Sequence, residues 1–165
     1  MAITATKNPA FYSGPQLELE KTLQAVDSQT WQAGDPCYLT TTGKAKPLAT
    51  GIGRIYGFFA DSRASASSST VPPIYRIASE ETKFVGDISN GANDTTSQRT
   101  HKGENAGLRV TSVNSKNVTT VDVGNDTAGG VVLDDPIWVK EGFKNTSTDS
   151  PGRIIFHFKD TMLQG

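Results

Sequence analysis

The chain has 165 residues, with sixteen Lys plus Arg against seventeen Asp plus Glu, a net charge of −1, 35% hydrophobic residues and a single cysteine. That length fits one domain, or one domain with an appended arm, and a near-neutral chain without a basic stripe excludes nucleic acid as a partner. The apolar share lies below the roughly 45–50% of ordinary domains, a figure that also counts Gly. Hydroxyls take up the difference, with 34 Ser plus Thr.

Residues 1–16 carry isolated apolar side chains, Ile3, Phe11 and Tyr12, among Thr, Lys, Asn, Pro and Gly. A segment without periodicity cannot offset its own ordering entropy. It reads as a disordered tail or as an extended N-terminal arm whose aromatics serve another chain, and Ile3, Phe11 and Tyr12 are the candidate binding residues. The start of the chain lacks the apolar h-region of a signal peptide, and no apolar run approaches a membrane span. The expectation is a chain made in a cytoplasm, with no membrane partner.

Residues 17–165 read as one β domain, because Pro, Gly and Asx residues recur every eight to twelve positions between short runs rich in Val, Ile, Thr, Phe and Tyr. Leu17-Glu18-Leu19-Glu20 alternates as a strand; Leu19, Leu23 and Val26 also match a helical spacing, and the strand is preferred. Further strands are expected at Pro36–Thr40 and Gly53–Ala60. Asp61–Thr70, DSRASASSST, has no large apolar side chain and is expected to be a mobile surface loop. Strands follow at Ile74–Ser79 and Lys83–Ile88. Leu108–Val113 and Val118–Val123 form a hairpin through Asn114-Ser115-Lys116-Asn117. Val131–Lys140 is a strand interrupted by a turn at Asp134-Asp135-Pro136. In Arg153–Phe158, Ile154, Phe156 and Phe158 share one face. The pattern predicts an all-β fold, a small barrel or sandwich of short antiparallel strands.

Chemistry is sparse. His101 and His157 sit in no catalytic context, and no nucleophile elbow, zinc-binding His pair, phosphate loop or dinucleotide fingerprint occurs. Asp134 and Asp135 are adjacent in an extended chain and so point to opposite sides. The Asx- and Gly-rich runs Asn90–Thr95 and Gly124–Gly130 do not fit a calcium loop. The sequons at Asn93, Asn117, Asn125 and Asn145 reflect the abundance of Asn, Ser and Thr. Cys37 reads as a small core residue, and Trp31 and Trp138 as core aromatics. No enzyme activity, metal or cofactor is expected.

One stretch is more specific. Trp31-Gln32-Ala33-Gly34-Asp35-Pro36-Cys37-Tyr38-Leu39, then Thr42-Gly43-Lys44-Ala45, then Arg54-Ile55-Tyr56-Gly57-Phe58-Phe59-Ala60, resembles a pattern of tailed-phage virion proteins. In it, Gly-Asp turns the chain into a strand, a Gly-Lys turn follows, and a second strand ends near Ile-x-Gly. The later KGENAGLRV, NVTTVDV and GRIIFHF segments, with the Thr-Met-Leu-Gln tail, are similar to the small β-barrel of head decoration, or cement, proteins. Asp61–Ser79 is longer than in the compact members. The resemblance implies a protein without catalysis, a homotrimer on the outer surface of the phage head that binds the major capsid protein and stabilises contacts between its subunits. It also implies an N-terminal arm that adds to coat-protein sheets. The competing reading is a tail or fibre module that binds a host surface glycan.

Overall fold

A computed structural model describes residues 8–49, 52–87, 106–113, 115–122, 132–137, 153–158 and 163–164. Eleven strands appear among them, and no helix: β1 (Ala10–Ser13), β2 (Glu18–Glu20), β3 (Pro36–Leu39), β4 (Ala45–Pro47), β5 (Gly57–Phe59), β6 (Ile74–Arg76), β7 (Lys83–Asp87), β8 (Ala106–Val113), β9 (Lys116–Asp122), β10 (Val132–Ile137) and β11 (Arg153–Phe158). They make two antiparallel sheets, one in the order β1-β7-β11-β10-β8-β9 and one in the order β2-β6-β5-β3-β4. The expected all-β class holds. The barrel alternative does not, because among the described residues the six-stranded sheet ends at β1 and β9 without a ladder between them, leaving two facing sheets.

The core lies between these sheets. Tyr38, Phe58 and Ile77 of the five-stranded sheet and its flanks pack with Phe84, Leu108, Val121, Phe156 and Phe158 of the other. Phe84 is its centre, with ring centroids 5.3 Å from Phe58 and from Phe158 and 6.0 Å from Phe156. Alternation along β3 and β5 sends the next side chains to the opposite face. There Cys37, Phe59 and Ile74 form a second core with Ala25, Trp31, Ala45 and Ala66.

The Ser-rich segment, mostly exposed and outside the named strands, helps to cover that second face. Residues 61–70 are fastened to residues 25–33: Arg63 and Trp31 exchange backbone bonds of 2.9 and 3.0 Å, the Ser28 and Ala66 amides donate to Ala66 and Gln29 at 2.7 and 2.8 Å, and the Ala25 amide donates to Thr70 at 2.8 Å. Side chains add to this, with Thr30 Oγ1 donating to the Ala64 carbonyl, the Ala33 amide to Ser62 Oγ at 2.9 Å and Trp31 Nε1 to Asp61 Oδ1 at 3.2 Å. The small side chain of Ala66 is buried, so a segment without large apolar residues still has something to bury.

Four further expectations shift. Residues 10–13 of the expected arm are β1, an edge strand on the protein's own sheet, with Phe11 opposite Phe84. Asp134-Asp135-Pro136 lies within β10, where the pairing with β11 is irregular between Asp134 and Ile137; a bulge is where a sheet interior accepts proline, which has no amide to donate. The Gly-Lys turn leads from β3 into β4, while β5 pairs on the other side of β3. The β8–β9 hairpin closes more tightly than expected, with Val113 opposite Lys116 and Ser115 at φ 63°.

The Gly34-Asp35 turn forms as its residues require. Gly34 has φ 91°, a left-handed conformation that glycine adopts without strain. Asp35 closes the turn by accepting from the Gln32 amide at 2.9 Å, while its own amide donates to the Gln32 carbonyl at 3.0 Å.

Candidate functional site

Among the described residues five large apolar side chains remain exposed, four of them on strands and the fifth, Val71, ahead of β6. Phe11 (37% exposed) and Tyr12 (43%) lie on β1, Leu19 (51%) on β2 and Tyr75 (44%) on β6. Leu19 is directly opposite Tyr75, and Tyr75 opposite Phe58, so an apolar row runs out of the core to the sheet edge. Residues 14–17 join β1 to β2, which keeps the two edges close.

The four sheet edges differ in how they are protected. β4 is covered where the Ala45 amide donates to Gln24 and its carbonyl accepts from Val26, at 2.8 and 2.9 Å. β9 meets Asn8, whose Oδ1 accepts from the Thr119 amide at 2.7 Å. β2 carries Glu18 and Glu20, charges that discourage pairing with another strand. β1 has the sequence Ala-Phe-Tyr-Ser, without a charge or proline, and Ala10, Phe11 and Tyr12 are all exposed. Among the described residues no strand lies on its outer side.

Asn8 joins the two halves of the protein just ahead of β1. Its Nδ2 donates to Asp35 Oδ1 at 2.7 Å while its Oδ1 takes the Thr119 amide. Burial pushes the Asp35 carboxyl above its ordinary range, against the bonds from Gln32 and Asn8, which favour the charged form. On the opposite face of β2, Arg76 Nε is buried without a hydrogen bond, 4.0 Å from Glu18 Oε2. Glu20 accepts from the Thr22 hydroxyl and then its amide, which lower its pKa. Burial, then the Glu20 charge, raises the Tyr56 phenol.

Of the residues singled out in the sequence, Phe11 and Tyr12 fall on this exposed edge, and Ile3 lies outside the described residues. Leu19 and Tyr75 were missed as part of the surface: alternation in Leu17–Glu20 assigns faces without saying which face is covered. Cys37 is fully buried, and burial drives its thiol far above the usual range, so it is held as the inert thiol. Trp31 stacks on Phe59 at 4.2 Å inside the second core. His157 is half-buried on β11, its Nδ1 3.4 Å from the Phe158 carbonyl oxygen, and Asn117 is exposed on β9. His101, Trp138, Asn90–Thr95, Gly124–Gly130, Asn93, Asn125 and Asn145 lie outside the described residues. Among the described residues no three His, Cys, Asp or Glu side chains group in a way that could hold a metal.

The arrangement offers strand pairing and aromatic contact to another macromolecule. In comparisons with known proteins, no family model, no curated protein and no solved structure matches this chain.

Proposed function

We propose that this is a head decoration protein: a sandwich-like β domain with an N-terminal arm, which binds the outer surface of a tailed-phage head and stabilises contacts between major capsid protein subunits. It performs no catalysis, is made in the host cytoplasm, and acts as three copies around a three-fold position. The observation that carries the reading is β1, an uncharged edge strand with two exposed aromatics, beside three edges that are covered, capped or charged. Backbone pairing at such an edge supplies affinity, and alternate side chains choose the site. Ile3, Phe11 and Tyr12 are the residues that meet the coat protein.

The test uses expanded heads lacking the protein, incubated with the full chain and with a Phe11→Ser, Tyr12→Ser variant, followed by electron microscopy of the labelled complexes. Density on the head, with binding at least about tenfold weaker for the variant, is the expected result; loss of two aromatic anchors is worth that or more. Density on the tail would overturn the reading and favour recognition of a host glycan instead. Equal binding by both forms would remove β1 from the interface.

A further inference from the structure

We infer that the Asp35–Pro36 peptide bond is a self-scission site, at which the chain cuts itself once in mild acid and stays folded, independently of any capsid partner.

Asp–Pro is the peptide bond most easily broken in acid, because the aspartate carboxyl reaches its own main-chain carbonyl and the proline nitrogen is a tertiary amide. Here the fold places each reacting group. The Asp35 carboxyl is buried and held at both oxygens, Oδ1 by Asn8 Nδ2 at 2.7 Å and Oδ2 by the Gln32 amide at 2.9 Å, so it is oriented in advance. The Asp35 carbonyl oxygen accepts from the Phe59 amide at 2.9 Å, a donor aimed where negative charge develops in the tetrahedral intermediate. Pro36 opens β3, fixed opposite Phe58 while its carbonyl accepts from the Leu48 amide at 2.9 Å.

The step needs water as its only co-reactant. A carboxyl oxygen of Asp35 bonds to the Asp35 carbonyl carbon, the carboxyl proton passes to the Pro36 nitrogen, and the carbon–nitrogen bond breaks. Asp35 is left as a five-membered cyclic anhydride, which water opens to two carboxyls. The groups around the acid are neutral: Asn8 ahead of β1, the Gln32 amide in the turn and Phe59 on β5. On the segment packed against the turn, Asp61 and Arg63 pair with each other at 3.2 Å. Burial outweighs the two hydrogen bonds, and the protonated carboxyl that supplies the leaving proton is present at milder pH than in the unfolded chain. The products, residues 1–35 and 36–165, remain one folded unit, because β1 pairs with β7 and β2 with β6.

The chain carries its own control, the Asp135–Pro136 bond in β10. Wild-type protein is held at about pH 4, near the ordinary aspartate range, both folded and in urea, and the products are weighed by mass spectrometry after denaturation. Scission at 35–36 should be at least about tenfold faster in the folded protein than in urea, with no such gain at 135–136. A folded-state rate at 35–36 equal to or below the unfolded one overturns the inference. Asp35→Asn keeps the shape of the side chain but supplies no acid proton, and should abolish the cut; scission that survives it overturns the inference as well. Asn8→Ala removes a bond that lowers the carboxyl's pKa, so the rise in rate on acidification should begin at higher pH. An unchanged pH profile would overturn the placing of the carboxyl by Asn8.

Discussion

Asp35 is under two opposed influences. At 5% exposure its charge is poorly solvated, yet both its oxygens are in use, one accepting from the Gln32 amide and one from Asn8. Burial prevails and its pKa lies above the ordinary 3.8. The folded state thus holds the proton more tightly than the unfolded one. The stability Asp35 contributes through protonation is complete below the unfolded value and is lost as pH rises through the folded value. Asp35→Ala removes both acceptors and should cost about 1–3 kcal/mol, with a larger penalty near pH 4 than at pH 7. Urea unfolding of both proteins at the two pH values measures this; a penalty that shrinks on acidification would refute the sign. The turn around Asp35 was legible, since Gly-Asp ahead of an apolar run is a local signal. The bond from Asn8 was not, because nothing in the sequence marks a partner 27 residues away.

At the scale of elements, legibility followed periodicity. β8, β9 and β11 could be read because their side chains alternate or sit beside strong turn residues. β4 could not, being three residues ending in Pro47, and neither could the C-terminal stretch. There the Leu39 amide donates to Gln164 Oε1 at 2.7 Å and Gln164 Nε2 donates to the Leu39 carbonyl at 3.0 Å. A side-chain amide thus stands in for a peptide group beside β3, while the Gln164 backbone amide donates to the Ile55 carbonyl at 2.9 Å and Leu163 bridges Ile55. No hydrophobic pattern encodes such a pairing. Gln164→Ala leaves the part-buried Leu39 groups without these partners and should lower stability by about 1–2 kcal/mol. Thermal or urea unfolding checks it, and an unchanged midpoint would show that water replaces the amide without cost.

In the whole molecule, the five-stranded sheet is covered on both faces, by the six-stranded sheet on one and by residues 25–33 with 61–70 on the other. The composition of DSRASASSST hid this, because Ala66 is small and the rest of the attachment is backbone. Arg63, which looks like a ready protease site, exchanges two backbone bonds with Trp31 and has its guanidinium 3.2 Å from Asp61. Trypsin should leave the Arg63–Ala64 bond of the native protein intact while digesting the urea-unfolded chain there. Trp31→Ala, which removes a fully buried indole at a cost of about 3–5 kcal/mol, should open the same bond to early cleavage. Rapid cutting at Arg63 in the wild type would mean that the cover is loose. The Leu39–Gln164 pairing, 125 residues apart in sequence, also sets an order for biosynthesis. Such distant contacts close last because their loop entropy is largest, and β3 lacks its final partner until residue 164 has left the ribosome. Nascent chains that have not yet reached residue 164 therefore carry an incomplete sheet, and β3 gains its last hydrogen-bond partners only once that residue has emerged.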